Sequence, residues 1–133
     1  MPLSPDDRVK YKTLYLQTAK PYVDQLQDSI VSFQSGTIDQ GKLDVAHRAA
    51  HSMTSQSRMM EFEKTAHLTS MMEKVFKAKV DGLLELSPEL VQSLSAAVVR
   101  LQEDIKAIET TDTEIDLAKE HDELAAIAKI PVA

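Results

Sequence analysis

Leu16, Ala19, Val23, Leu26, Ile30 and Phe33 recur at spacings of three and four, which puts them on one stripe of an α-helix. The segment Ser4-Pro5-Asp6-Asp7 marks where that helix opens. Serine can cap it, proline suits its first turn, and the acids favour the positive end of its dipole. Pro21 falls inside the stripe and predicts a kink or a split near Lys20. Ser35-Gly36-Thr37 ends the element. A second helix is predicted from about Asp39 to Met59, with Leu43, Ala46, Ala50 and Met53 on one stripe. A third runs from about Glu63 to Ala78, with Ala66, Thr69, Met72 and Phe76 on one side. After Asp81-Gly82, a fourth opens at Ser87-Pro88-Glu89 and continues to about Ile108. Leu90, Leu94, Val98, Leu101, Ile105 and Ile108 form its stripe. Thr110-Thr111-Asp112-Thr113 interrupts, and a fifth helix follows from about Glu114 to Ile130, stopped by Pro131.

Long helices with short connections imply antiparallel neighbours. The expected fold is therefore all-α, an up-down four-helix bundle at about residues 4–109. The extra C-terminal helix, at about 112–130, extends the core or docks elsewhere. One domain over 1–133 accounts for the whole length. Composition agrees with helix, since glycine occurs only 3 times and Ala, Leu, Gln, Glu, Lys and Met dominate.

Composition also removes whole classes of chemistry. With 0 cysteines, disulfides, thiolate metal sites and cysteine nucleophiles are excluded. A net charge of −6 argues against nucleic acid as the main partner, because phosphate contacts need lysine and arginine clusters. No apolar run approaches the roughly 18 residues of a membrane span, and the N-terminus lacks the basic-then-apolar order of a signal peptide. A cytoplasmic location is expected. No glycine-rich phosphate loop, nucleophile elbow or dinucleotide fingerprint is present, and no cofactor is expected.

Against that background His51 stands out, in Arg48-Ala49-Ala50-His51-Ser52-Met53. Its small neighbours leave the ring accessible to a large partner. A neutral imidazole is a nucleophile when one nitrogen gives its proton to a carboxylate and the other keeps its lone pair free. That carboxylate has to come from a neighbouring helix, and Glu73 on the third helix is a candidate. The alternative is an exposed helix histidine with no task. His47 and His51 are four apart and share a face, so a metal pair is a further alternative. His67 and Glu63 are likewise four apart, but neither pair has the Glu-x-x-His spacing of di-metal bundles. Met53, Met59, Met60, Met71 and Met72 read as core filler before they read as a binding surface. Lys119-Glu120-His121-Asp122-Glu123 reads as a solvated helix face.

The segment around His51 resembles the phosphoacceptor motif of histidine phosphotransfer (HPt) domains. It is most similar to the N-terminal phosphotransfer domain of chemotaxis-type histidine kinases, which reads Arg-Ala-Ala-His-Ser-(Ile/Leu)-Lys-Gly and continues to Gly-Phe. Phe62 stands where that phenylalanine would, and Met72-Glu73-Lys74 falls where the family carries its apolar-Glu-(Asn/Asp) motif. Tyr15 to Phe33 looks like the family's first helix, and Ser87-Pro88-Glu89-Leu90-Val91 like the start of its fourth. The resemblance covers about residues 11–109.

The resemblance implies an HPt-type bundle in which Glu73 holds His51. It implies a phosphocarrier, and no enzyme on its own, passing a phosphoryl group between a histidine kinase and a response-regulator receiver aspartate. No metal belongs to the domain in this reading, and neither membrane nor nucleic acid is a partner. The start at Met1 and the stop soon after the fifth helix fit a separate protein or the N-terminal part of a larger kinase. Three positions depart from the family pattern. Its lysine three residues after the histidine is Thr54, the next glycine is Ser55, and the later glycine before Phe62 is Glu61. Thr54 offers a hydrogen bond without charge, Ser55 is a mild obstruction, and Arg48 or Arg58 is expected to supply the missing cation. The other implied reading is a degenerate adaptor that binds signalling partners without being phosphorylated.

Overall fold

A computed structural model describes residues 4–131 of the chain as five helices. They are α1 (Pro5–Gln34), α2 (Gln40–Met59), α3 (Glu63–Val80), α4 (Pro88–Thr111) and α5 (Ala118–Ala128). Three of the starts have side-chain caps. Ser4 Oγ accepts from the Asp7 amide at 3.2 Å, Asp39 Oδ1 from Lys42 at 2.9 Å, and Ser87 Oγ from Leu90 at 3.1 Å. Each satisfies an amide the helix itself leaves without a partner.

Pro21 neither ends nor divides α1. The residue is exposed, as is Gln17, whose carbonyl loses its helical donor there and faces water instead. On the opposite side Ala19, Val23 and Leu26 are buried, and packing on both sides of the proline carries the helix through. The fifth helix is shorter than expected, starting at Ala118 and ending at Ala128.

α1 packs on α2 and α4, α2 packs on α3, and α5 packs on both α3 and α4. α3 and α4 touch each other far less than either touches α5. The short last helix thus closes the ring of helices. Leu117, Leu124, Ala125 and Ala128 join the same core as Leu26, Met72, Phe76 and Leu101. Within Lys119-Glu120-His121-Asp122-Glu123, His121 is buried, and its ring stacks on that of His67 with centroids 4.9 Å apart. That stretch is therefore a docked face at His121, because α5 has to turn one side to α3.

Three polar ties cross the core. Tyr15 Oη and Ser57 Oγ are 2.9 Å apart and join α1 to α2. Burial pushes the Tyr15 phenol above its usual range, against the opposing effect of the Ser57 hydrogen bond. Ser29 Oγ donates to the Lys42 carbonyl at 2.9 Å. The third tie pins the segment before α5. Asp104 is fully buried, with Oδ1 accepting from the Ile115 amide at 3.0 Å and Oδ2 2.6 Å from Thr65 Oγ1. Glu114 Oε1 lies 2.9 Å from the same hydroxyl and accepts from the Thr65 amide at 2.7 Å. One hydroxyl proton cannot serve two carboxylates. Burial pushes the Asp104 carboxyl up, although its Thr65 and Ile115 bonds oppose this. As pH falls Asp104 takes a proton and donates to Thr65, which frees the Thr65 proton for Glu114.

A carboxyl raised by folding stabilises the native state most below its ordinary range. The contribution is lost as pH rises through the raised value. Asp104→Asn fixes the uncharged form with a donor toward Thr65. In urea unfolding, the variant should exceed wild type at pH 8 by about 1 kcal/mol and lose that advantage at pH 4. An equal difference at both pH values would contradict this account of the tie.

Candidate functional site

α2 and α3 form the most extensive helix pair in the structure. The buried face of α2 carries the small residues Ala46, Ala49 and Ala50, and that of α3 carries Leu68, Thr69 and Met72. Small side chains let the two backbones approach, so side chains at the edge of the seam reach across it. Two contacts fix the antiparallel register. Thr54 Oγ1 lies 2.8 Å from Thr69 Oγ1, and His51 Nδ1 lies 2.6 Å from Glu73 Oε2.

The second contact is the one the sequence predicted. His51 is 65% exposed at its side chain and Glu73 only 23%. The carboxylate is thus seated in the seam while the ring projects from it. An ionised carboxylate only accepts hydrogen bonds, so the neutral ring facing it carries its proton on Nδ1. Nε2 then keeps its lone pair and points away from Glu73. A second imidazole shares the carboxylate, since His47 Nε2 is 3.8 Å from the same oxygen.

His47, Arg48, His51, Ser52, Glu73, Lys74 and Lys77 line a shallow depression around the exposed ring. Of the sequence-predicted residues it brings together His51, Glu73 and Arg48. Ser55 and Arg58 are exposed one and two turns further along α2, outside that lining. Seven residues of helix rise separate Arg58 from His51 by about 10 Å.

Thr54 is a correction. It is 4% exposed, and its hydroxyl donates to the Ala50 carbonyl at 2.8 Å besides meeting Thr69. It faces the α2–α3 seam and cannot contact a group on the exposed His51 ring. The reason is the 3.6-residue period, which turns the third residue after His51 inward next to Ala50 and Met53. Lys74 and Lys77 were not among the expected site residues. Their signal lay in the pairing of His51 with Glu73, because that register places the next residue and the next turn of α3 beside the histidine. The methionines divide: Met53, Met60, Met71 and Met72 are buried as core, whereas Met59 is 78% exposed. Met59 lies with Leu14 and Tyr11 along an apolar groove between α1 and α2. Among the described residues, no group of three or more His, Asp or Glu side chains is arranged to hold a metal ion. Among them, too, no helix is long and apolar enough to cross a membrane.

The Hpt domain family model matches residues 10–111. The chain belongs to the Hpt domain family. A chemotaxis protein CheA from Borreliella burgdorferi is 26% identical over 90 residues, covering 68% of this chain and 10% of that protein. The chain therefore spans about a tenth of that relative's length. Among solved structures, the phosphorylated P1 domain of CheA3, in complex with CheY6 from R. sphaeroides, has the same fold. Its TM-score is 0.82 at 16% identity, covering 90% of this chain and 96% of that one. This Hpt domain thus shares the fold of that P1 domain.

Glu61 stands where the resembled family carries a glycine. It has a left-handed φ of 64°, and the Phe62 amide returns to the Ser57 carbonyl at 2.8 Å, a helix-ending turn that glycine makes without strain. Glu61 adopts it at a cost of roughly 1 kcal/mol. The burial of Thr54 generates a sharper expectation. With the packing of α2 on α3 and the His51–Glu73 contact still holding the register, Thr54→Val should lower stability by about 1 kcal/mol and leave the rate of any reaction at His51 within two-fold. Thermal melts and single-turnover labelling would check the pair of outcomes, and a large rate loss at unchanged stability would contradict the buried placement.

Proposed function

We propose that this Hpt domain is a phosphocarrier of a two-component relay, holding a phosphoryl group on His51 between a histidine kinase and a receiver aspartate in the cytoplasm. The observation that carries the reading is the 2.6 Å contact between His51 Nδ1 and Glu73 Oε2 beneath an exposed ring. It leaves one nitrogen nucleophilic and facing outward, which is what an in-line acceptor needs.

The Nε2 lone pair attacks phosphorus, and the bond from phosphorus to the donor oxygen breaks with its electron pair staying on that oxygen. The ring now bears phosphorus on Nε2 and hydrogen on Nδ1, a positive charge that the Glu73 carboxylate faces. In the onward step a receiver aspartate oxygen attacks phosphorus, and the Nε2–P pair returns to the ring. Positioning and charge stabilisation supply most of the catalysis in such transfers. The sequence carries no recognisable nucleotide-binding motif, and in this reading the kinase acts from another domain or another protein.

Support for a receiver as partner comes from the P1 domain of CheA3, which is phosphorylated and in complex with CheY6. On this chain the open face of α2 around His51 is where a receiver would sit. Ser55 and Arg58 would contact it along the helix, and Arg48 would lie beside the phosphoryl group. The adaptor reading keeps the same surface and drops the chemistry.

Incubation with an active kinase or a phosphorylated receiver, comparing wild type with His51→Gln, separates the two. Acid-labile, base-stable phosphate on the wild type alone is the expected result. Partners that are verified active and bind the domain, yet label neither protein, would favour the adaptor.

A further inference from the structure

In this Hpt domain the α2 position that carries a lysine in the resembled family is filled by Thr54, buried and hydrogen-bonded within the seam. The charge for a phosphoryl group cannot come from there. Arg58 lies outside the depression around His51. Two cations from the other helix line it: Lys74 and Lys77 of α3. Both are exposed. Lys77 Nζ pairs with Asp81 at 3.0 Å across one helical turn, an exposed contact that a stronger anion displaces readily. The single acid lining the depression, Glu73, already faces His51 and His47. In a chain of net charge −6 this is a local concentration of positive charge around a nucleophilic nitrogen.

We propose that Lys74 and Lys77 form the anion cradle for the phosphoryl group on His51, with Arg48 closing it from α2. The proposal deepens the phosphocarrier reading and rests on it. As the Nε2–P bond forms and the donor oxygen leaves with its electron pair, the three peripheral oxygens hold the charge. Ammonium groups on the α3 side of the ring meet those oxygens, while Glu73 beneath the ring meets Nδ1–H. The two helices thereby divide the work: α2 presents the nucleophile and α3 supplies both the carboxylate that orients it and the cations that receive its load. The register set by Thr54–Thr69 and His51–Glu73 makes this division possible, since it places Lys77 opposite the His47 turn.

Two measurements on the intact chain test it. In the first, inorganic phosphate is titrated at low salt while the His51 ring signals are followed by NMR. Wild type should show a saturable shift, abolished in Lys74→Ala/Lys77→Ala and retained in Lys74→Arg/Lys77→Arg. In the second, His51 labelling by phosphoramidate should slow about ten-fold in the alanine pair and lose most of its dependence on ionic strength. Lys106→Ala, an exposed cation on α4, should match wild type in both. Absence of a phosphate-dependent shift in wild type would overturn the cradle. Equal behaviour of wild type and the alanine pair would also overturn it. So would a loss confined to transfer from a protein donor, because the lysines would then serve docking. Phosphate binding that depends on both lysines, in a domain that verified kinases and receivers never label, would uphold the cradle and remove the phosphocarrier reading.

Discussion

The contact between His51 Nδ1 and Glu73 Oε2 is the constraint around which the rest of the structure is arranged. It asks two helices to stand close enough for a glutamate to reach across, and in a register that leaves the histidine ring in solvent. The alanines of α2 provide the closeness. The extensive packing of α2 on α3 provides the register, and the buried Thr54–Thr69 bond, one turn away, reinforces it. A one-residue slip would break that bond and rotate Glu73 away from the ring. The remaining helices matter to the site because they hold this pair still. α1 braces α2 through Tyr15 and Ser57; α4 and the segment before α5 brace α3 through the Asp104–Thr65–Glu114 tie, and α5 does so through the His67–His121 stack.

The same arrangement gives the buried polar groups around Thr65 a mechanical role. Thr65 sits in the first turn of α3, where its amide would lack a helical partner. Glu114 supplies one from the segment before α5, and Asp104 takes the hydroxyl from α4. A three-element junction is thereby fixed at the end of α3 remote from Lys77. Packing alone would leave the short α5 free to slide on an apolar surface, since Leu117, Leu124 and Ala125 offer little direction.

Much of this was legible in the residue order. The apolar stripes of α1 through α4 predicted their buried faces, because a 3.6-residue period leaves few choices for which side meets the core. Ser4 was legible as a cap, and Asp39 and Ser87 as helix starts, each of which the structure caps. His51 and Glu73 were found because one chemical requirement, a carboxylate for a tautomer, linked two distant segments. What was missed depended on neighbours. Pro21 read as a kink or a split, and the split does not occur because packing on either side of it carries the helix through. Thr54 read as a surface donor because its place in a motif was followed instead of its helical angle. Lys74 and Lys77 became visible only once the antiparallel register was known, and His121 only once α5 had somewhere to dock.

The central claim is that Glu73 fixes the His51 ring with its proton on Nδ1 and its lone pair on Nε2. Long-range proton–nitrogen NMR of the neutral ring, recorded at about pH 8, reads that directly. Wild type should show Nδ1 protonated and Nε2 bare, and Glu73→Ala should release the ring to exchange both forms. A wild-type ring protonated on Nε2 would contradict the account, because the nitrogen that faces a partner would then have no lone pair to give.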